Sequence, residues 1–134
     1  MIVIDASALA AFLRKEQGWK NLAKHIRNSV TVYLALKEVA NALWKDYYVK
    51  KRLDKDVVES LYKLMKKLAN VNVILESETK YLDEAFRIAL ENGITVYDAL
   101  YISLAKARNL QLLTLDRKQR EIAEKLGIKT IKTL

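Results

Sequence analysis

The chain contains no cysteine, no proline, a single histidine and no long apolar run. Without cysteine, neither a disulfide framework nor a thiolate zinc site can form, a composition that suits a reducing cytoplasm. One imidazole, His25, cannot supply both acid and base of a histidine-pair mechanism. No stretch approaches the roughly 18 consecutive apolar residues of a membrane span. The opening MIVIDASALAAFLRKE lacks a basic leader, and Asp5 interrupts its apolar run, so it reads poorly as a signal peptide. Pro/Ser-rich linkers, low-complexity segments and internal repeats are missing too. The expectation is a soluble, cytoplasmic chain folded as one domain over residues 1–134, long enough for a core that needs no covalent staple.

Charge is the first thing present in excess: 24 Lys and Arg against 16 Asp and Glu, a formal net charge of +8. Such a balance favours polyanionic partners, nucleic acid foremost. Most of these lysines fall in stretches such as YKLMKKLAN and VKKRLDKD, which read as solvated helix faces. Charge therefore points to nucleic acid only in combination with a site.

Short β-branched runs alternate with longer helical patterns. MIVID reads as a buried strand, followed by short helices from Ser7 and from Trp19 to Arg27. VTVY is a second strand, before a long helix over 35–50 with Leu36, Val39, Ala40, Leu43 and Tyr47 as its apolar stripe. A helix over 55–70 leads to strand VNVIL, and a helix over 78–91 is stopped by Asn92-Gly93. The next helix runs to about Asn109. Strand QLLTL, a helix over 117–126 and a fifth strand, IKTI, complete the chain. Strands separated by helices predict a three-layer α/β/α fold with a mostly parallel, roughly five-stranded sheet. Ligands in such sheets gather at the carboxyl edge of the strands.

Four acids are expected at that edge. Asp5 closes the first strand, Asp116 directly follows the fourth, and Glu38 opens the helix after the second. Asp98 sits near the start of the apolar stretch ITVYDALYISLA, a helix of roughly 21 Å at about 1.5 Å per residue. The fourth strand returns beside that helix, so its end lies near the helix start and brings Asp98 towards Asp116. Each acid also has a local explanation. Thr95-x-x-Asp98 reads as a capping box, Asp116 as an N-cap with Gln119 three residues on, and Asp5 as a cap of the first helix. Glu38 shares a helix face with Asn41 and Lys45, opposite the apolar stripe.

Together the acids are harder to explain locally. Two carboxylates about 4 Å apart repel by about 4 kcal/mol at an effective dielectric near 20. Four at one edge require raised pKa values or a bound cation. Oxygen-only ligands select hard metals, so Mg²⁺ or Mn²⁺, one or two ions, is expected. Such an ion can stabilise charge developing on a phosphate. A basic surface beside an acidic metal pocket points to phosphodiester hydrolysis.

The segments carrying these acids, IVIDAS, LKEVANAL, TVYDALYISLA and LLTLD, resemble in order and spacing the PIN domain. The likeness extends along the whole chain and is greatest to the small VapC-type toxins of toxin–antitoxin pairs. That resemblance implies a parallel sheet sandwiched by helices, Mg²⁺- or Mn²⁺-dependent endoribonuclease activity on RNA, and a homodimer. It also implies neutralisation by a small antitoxin, with operator DNA bound by the toxin–antitoxin complex. The family's acidic set maps onto Asp5, Glu38, Asp98 and Asp116. Ser7 and Thr114 match positions where the family has hydroxyls near the metal pocket, and Asn41 falls one turn after Glu38. These three are candidates for orienting a carboxylate or a water, with local backbone capping the alternative for Ser7 and Thr114. Tyr97 and Tyr101 are candidates for packing around the pocket, with core or dimer packing the expected role, and Arg14, Lys37, Arg117 and Arg120 are candidate phosphate contacts.

Two rivals use the same fold class. A metal-dependent phosphatase of the haloacid-dehalogenase type would need a second Asp two residues after the first, where this chain has Ser7. A catalytically silent nucleic-acid or protein-binding module would keep the fold without the chemistry.

Overall fold

The computed structural model describes residues 1–132. Its frame is a four-stranded parallel sheet in the order β3-β2-β1-β4, from β1 (Ile2–Ile4), β2 (Ser29–Val32), β3 (Val73–Glu76) and β4 (Leu112–Leu113). Val3 pairs with Val30 on one side and Leu112 on the other, so β1 is central. Its three residues are apolar and almost wholly buried because helices cover both faces. Val3, Val30, Val32 and Leu112 pack against α5 (Leu82–Asn92), α6 (Val96–Arg108) and α7 (Arg117–Lys125). Ile2, Ile4 and Leu113 point the other way, towards α1 (Ala6–Leu13), α2 (Trp19–Ile26), α3 (Leu34–Trp44) and α4 (Lys55–Leu68). The three-layer α/β/α expectation holds.

The chain builds β1, β2 and β3 outward in one direction, then returns through α5 and α6 to place β4 on the opposite flank of β1. Strand order therefore reverses between β1 and β4. In parallel α/β sheets such a reversal opens a crevice beyond the carboxyl ends of the strands. Asp5 immediately follows β1, and Asp116 lies three residues beyond β4, towards this crevice.

Two expectations need correction. The fifth strand is one isolated parallel bridge, Leu112 with Thr130. β4 is only two residues long, since Thr114 leaves the ladder to enter the site, and no longer pairing can form. The long helix over 35–50 is also interrupted: α3 ends at Trp44 and a π turn follows over Lys45–Val49. The turn directs Asp46, which is 2% exposed, inward to the Arg14 guanidinium at 2.7 Å, while Tyr47 leaves the apolar stripe and is 41% exposed. A similar adjustment precedes α5, whose first residues form a 3₁₀ turn over Glu78–Tyr81.

Candidate active site

Asp5 is the N-cap of α1 and is buried. Its Oδ1 accepts hydrogen bonds from the Ala8 amide at 3.0 Å and Ser7 Oγ at 2.7 Å, and its Oδ2 lies 2.5 Å from Thr114 Oγ1. Burial pushes the Asp5 carboxyl up to about 6; the Thr114, Ala8 and Ser7 hydrogen bonds oppose this, and the nearby Asp98 charge adds to it. Both hydroxyls are themselves placed by the chain entering α7: the Leu115 amide donates to Ser7 Oγ and the Asp116 amide to Thr114 Oγ1. Capping and site orientation are thus one arrangement rather than alternatives.

Thr114 poses a proton-counting problem. Its Oγ1 carries one hydrogen yet faces two acceptors, Asp5 Oδ2 and Gln119 Oε1, the latter at 2.8 Å. Gln119 cannot flip to resolve this, because its Nε2 donates to the Asp98 backbone carbonyl at 3.0 Å. If Asp5 is ionised, one contact lacks a proton. If Asp5 is protonated it donates to Thr114, which donates to Gln119, and both of these contacts carry a proton. The hydrogen-bond geometry and the raised pKa agree.

Asp98 stands in the first turn of α6, half-buried, with Thr95 Oγ1 capping its amide at 3.1 Å. Burial raises its pKa, the Asp116 charge raises it further, and the Thr95 hydrogen bond and Lys118 oppose. Glu38, half-buried on α3, accepts at Oε1 from the Tyr101 hydroxyl at 2.5 Å. Its pKa is raised by burial, with the Tyr101 bond opposing and the Asp98 charge adding. Asp98 is thus the common neighbour: its charge is felt by Asp5 and Glu38, and it feels Asp116. Asp116 is the exposed N-cap of α7, its Oδ1 accepting from the Gln119 amide at 3.0 Å.

In a chain of net charge +8, none of these four acids has a Lys, Arg or His nitrogen within 4.0 Å among the described residues. Nor do three or more acidic or imidazole side chains close into a ready metal cage among those residues. The reason lies in the local bonds: hydroxyls and an amide hold Asp5, a phenol holds Glu38, and a cap holds Asp116. Asp5, Glu38 and Asp116 are each engaged by their own hydrogen bonds, and Asp98 is linked to all three through charge.

Sequence reasoning placed Tyr101 near the pocket but missed its bond to Glu38, and it missed the role of Gln119. Tyr101 is packed in the core, yet its hydroxyl reaches Glu38 and its pKa is raised by burial and by Glu38, Asp5 and Asp98. Its spacing of three from Asp98 was the available signal. Gln119 is 1% exposed and links Thr114 to the Asp98 carbonyl, which no capping pattern reveals. Tyr97 is 59% exposed and so is not a core residue. Asn41 does not touch the acids and instead lines an adjoining groove with Arg14, Glu38 and Lys45. Among the candidate phosphate contacts, Lys37 pairs with Glu78 and Arg117 with Glu121, while Arg120 Nε is buried without a partner among the described residues.

A parallel sheet covered by helices on both faces, with its strand order reversing between β1 and β4, defines the class. The chain belongs to the PIN domain family, whose model matches residues 2–125. Among curated proteins it is similar to Ribonuclease VapC3 of Pyrobaculum aerophilum, 35% identical over 130 residues, with 92% of this chain and 93% of that protein covered. Exonuclease VapC9 of the same organism is 33% identical over 132 residues, covering 98% and 91%. Among solved structures, PAE2754 from Pyrobaculum aerophilum superposes with a TM-score of 0.72 at 30% identity, covering 96% of this chain and 82% of that one. VapBC2 from Rickettsia felis, bound to a DNA fragment from its promoter, gives 0.67 at 17% identity over the full length of both chains, a likeness of fold.

Proposed function

We propose that the protein is a metal-dependent endoribonuclease and the toxin of a toxin–antitoxin pair. The observation that carries this reading is the charge coupling through Asp98, which raises Asp5 and Glu38 and is itself raised by Asp116, with no Lys, Arg or His nitrogen within 4.0 Å of these acids among the described residues. Their oxygen-only chemistry fits a hard divalent cation. Asp5, Asp98 and Asp116, with Glu38 beside them, would hold one or two Mg²⁺ or Mn²⁺ ions. Bound there, such an ion supplies positive charge to the phosphate as the bond breaks and eases ionisation of water.

The remaining work falls to the chain. Ser7, Thr114 and Gln119 fix the orientation of Asp5 and the start of α6. Tyr101 holds one Glu38 oxygen, and the other accepts no hydrogen bond from the described residues, so Glu38 is placed to take a proton from an attacking water. Similarity to Ribonuclease VapC3 supports RNA as the substrate, and likeness to a toxin–antitoxin complex from Klebsiella pneumoniae and to promoter-bound VapBC2 supports an antitoxin partner and operator DNA contacted through that complex. A homodimer is part of the same reading. No helix among the described residues is long and apolar enough to cross a membrane.

The test is incubation of purified protein with structured and unstructured RNA in Mn²⁺, with EDTA and Asp98→Asn controls. Internal cleavage abolished by both supports the proposal; cleavage that survives both overturns the metal mechanism. The lack of a closed acid cage favours one second reading, a silent PIN module. No cleavage, together with an unchanged melting temperature in millimolar Mn²⁺, would establish it, because an ion bound only by the folded state must stabilise it.

A further inference from the structure

We propose that the groove lined by Arg14, Glu38, Asn41, Ala42, Lys45 and Lys50 is a phosphate subsite that grips an RNA strand beside the acid crevice. This rests on the ribonuclease reading and specifies how that site holds its substrate. The groove encloses about 340 Å³, within the size range of small-ligand sites, and Glu38 belongs to both groove and crevice. A strand lying in one continues into the other.

The π turn creates the groove's charge. On α3, Glu38, Asn41 and Lys45 lie at spacings of three and four and share a face. In an uninterrupted α-helix, Lys50 would point about 140° away from Lys45. Instead the Lys50 amide donates to the Lys45 carbonyl at 2.8 Å, a bond spanning five residues, and the wider turn brings Lys50 back over Lys45. The turn is pinned from the far side, where the Asp46 carbonyl accepts from the Arg52 and Leu53 amides. Two like charges are thereby held on one face. Among the described residues neither lysine has a carboxylate within 4.0 Å.

Arg14 approaches from the end of α1. Asp46, buried by the same turn, takes Arg14 Nε at 2.7 Å, and Nη1 lies 3.3 Å from Glu16. The guanidinium is therefore held in one orientation, and its Nη2 donates to none of the described residues. A braced planar guanidinium beside two mobile ammonium groups suits a phosphodiester oxygen pair better than it suits bulk water. A polyanion approaching four acids also needs compensating positive charge at hand, and this groove supplies it next to Glu38.

The test is fluorescence anisotropy of a labelled single-stranded RNA oligonucleotide, with EDTA present to prevent cleavage, across a salt series. The variants are Lys45→Ala/Lys50→Ala, Lys45→Arg/Lys50→Arg, and Lys66→Ala/Lys67→Ala on the exposed end of α4. Lys45 and Lys50 are exposed, so all three should melt as wild type does. Each lost phosphate contact lowers the salt slope by about 0.7 for a single strand, so the Lys45→Ala/Lys50→Ala slope falls by about 1.4. A fourfold rise in salt then costs that variant about sevenfold less affinity than it costs wild type. The arginine pair should keep the wild-type slope, and the α4 pair should leave it unchanged. Equal losses from the groove and α4 pairs would overturn the subsite in favour of diffuse attraction. Unchanged binding in the groove variant, beside tight wild-type binding, would overturn the subsite and leave the ribonuclease reading standing. A wild type that binds poly-glutamate but not RNA would overturn both and make the groove a site for acidic polypeptide.

Discussion

Replacing Asp5 by asparagine should make the metal-free protein more stable at neutral pH, although it alters a candidate metal ligand. The folded carboxyl is raised from 3.8 to about 6. Between those values the folded state binds a proton that the unfolded state has lost, so stability falls as pH rises through this window. Above it both states are ionised, and the folded state carries a penalty of ~3 kcal/mol from Asp5. The neutral amide of the Asp5→Asn variant would avoid that penalty. Its carbonyl can still accept from Ser7 and Ala8, its amide can donate to Thr114, and Thr114 can then donate to Gln119. Asparagine is also as good an N-cap as aspartate. Thermal melts in EDTA at pH 4 and pH 7.5 would test this. At pH 7.5 the variant should melt about 10 °C above wild type. At pH 4 the gap should narrow, since wild-type Asp5 is then protonated when folded. Glu38 and Asp98 are raised in the same direction, so the informative quantity is the difference between the two proteins rather than either profile alone. A variant less stable than wild type at pH 7.5, or a gap independent of pH, would refute the reasoning.

Asp98→Asn removes the charge felt by both Asp5 and Glu38, so its metal-free melting temperature should rise and its RNA cleavage should vanish, read by circular dichroism and a gel assay. Arg14→Ala should lose about 3 kcal/mol in denaturant melts, because Asp46, 2% exposed, is left buried without its partner. Adding Asp46→Ala should recover much of that loss. Gln119→Met fills the same space without the amide; it should cost about 1–3 kcal/mol and weaken Mn²⁺ binding by about tenfold or more in calorimetry.

Much of this arrangement was legible because the acids interrupt patterns that would otherwise be apolar. Asp5 ends a buried strand, and Asp98 directly precedes the buried stretch Ala99–Ala105 of its helix. Parallel topology carried both to one edge. The capping expectations for Asp5, Thr95 and Asp116 also hold, since a cap depends on residues only three positions apart. What escaped depends on distant partners. The π turn is set by Arg14, which meets Asp46 across 32 residues, and the helical period through Trp44 contains no trace of it. Tyr101 reads as core until its hydroxyl is seen to meet Glu38 across 63 residues. Glu38 itself looked exposed on its helical wheel because a wheel does not show that the Tyr101 hydroxyl, from α6, reaches its carboxylate. The IKTI segment has strand composition, but its partner β4 is too short to pair with more than one of its residues.

The metal-dependent chemistry proposed at this crevice requires that its carboxylates, Asp98 among them, bind a divalent cation. Isothermal titration of Mn²⁺ into wild-type and Asp98→Asn protein at pH 7.5 tests that most directly. The prediction is saturable binding of one or two ions by wild type and a large loss of affinity in the variant. Absence of saturable binding at millimolar Mn²⁺, or equal binding by both proteins, would contradict it.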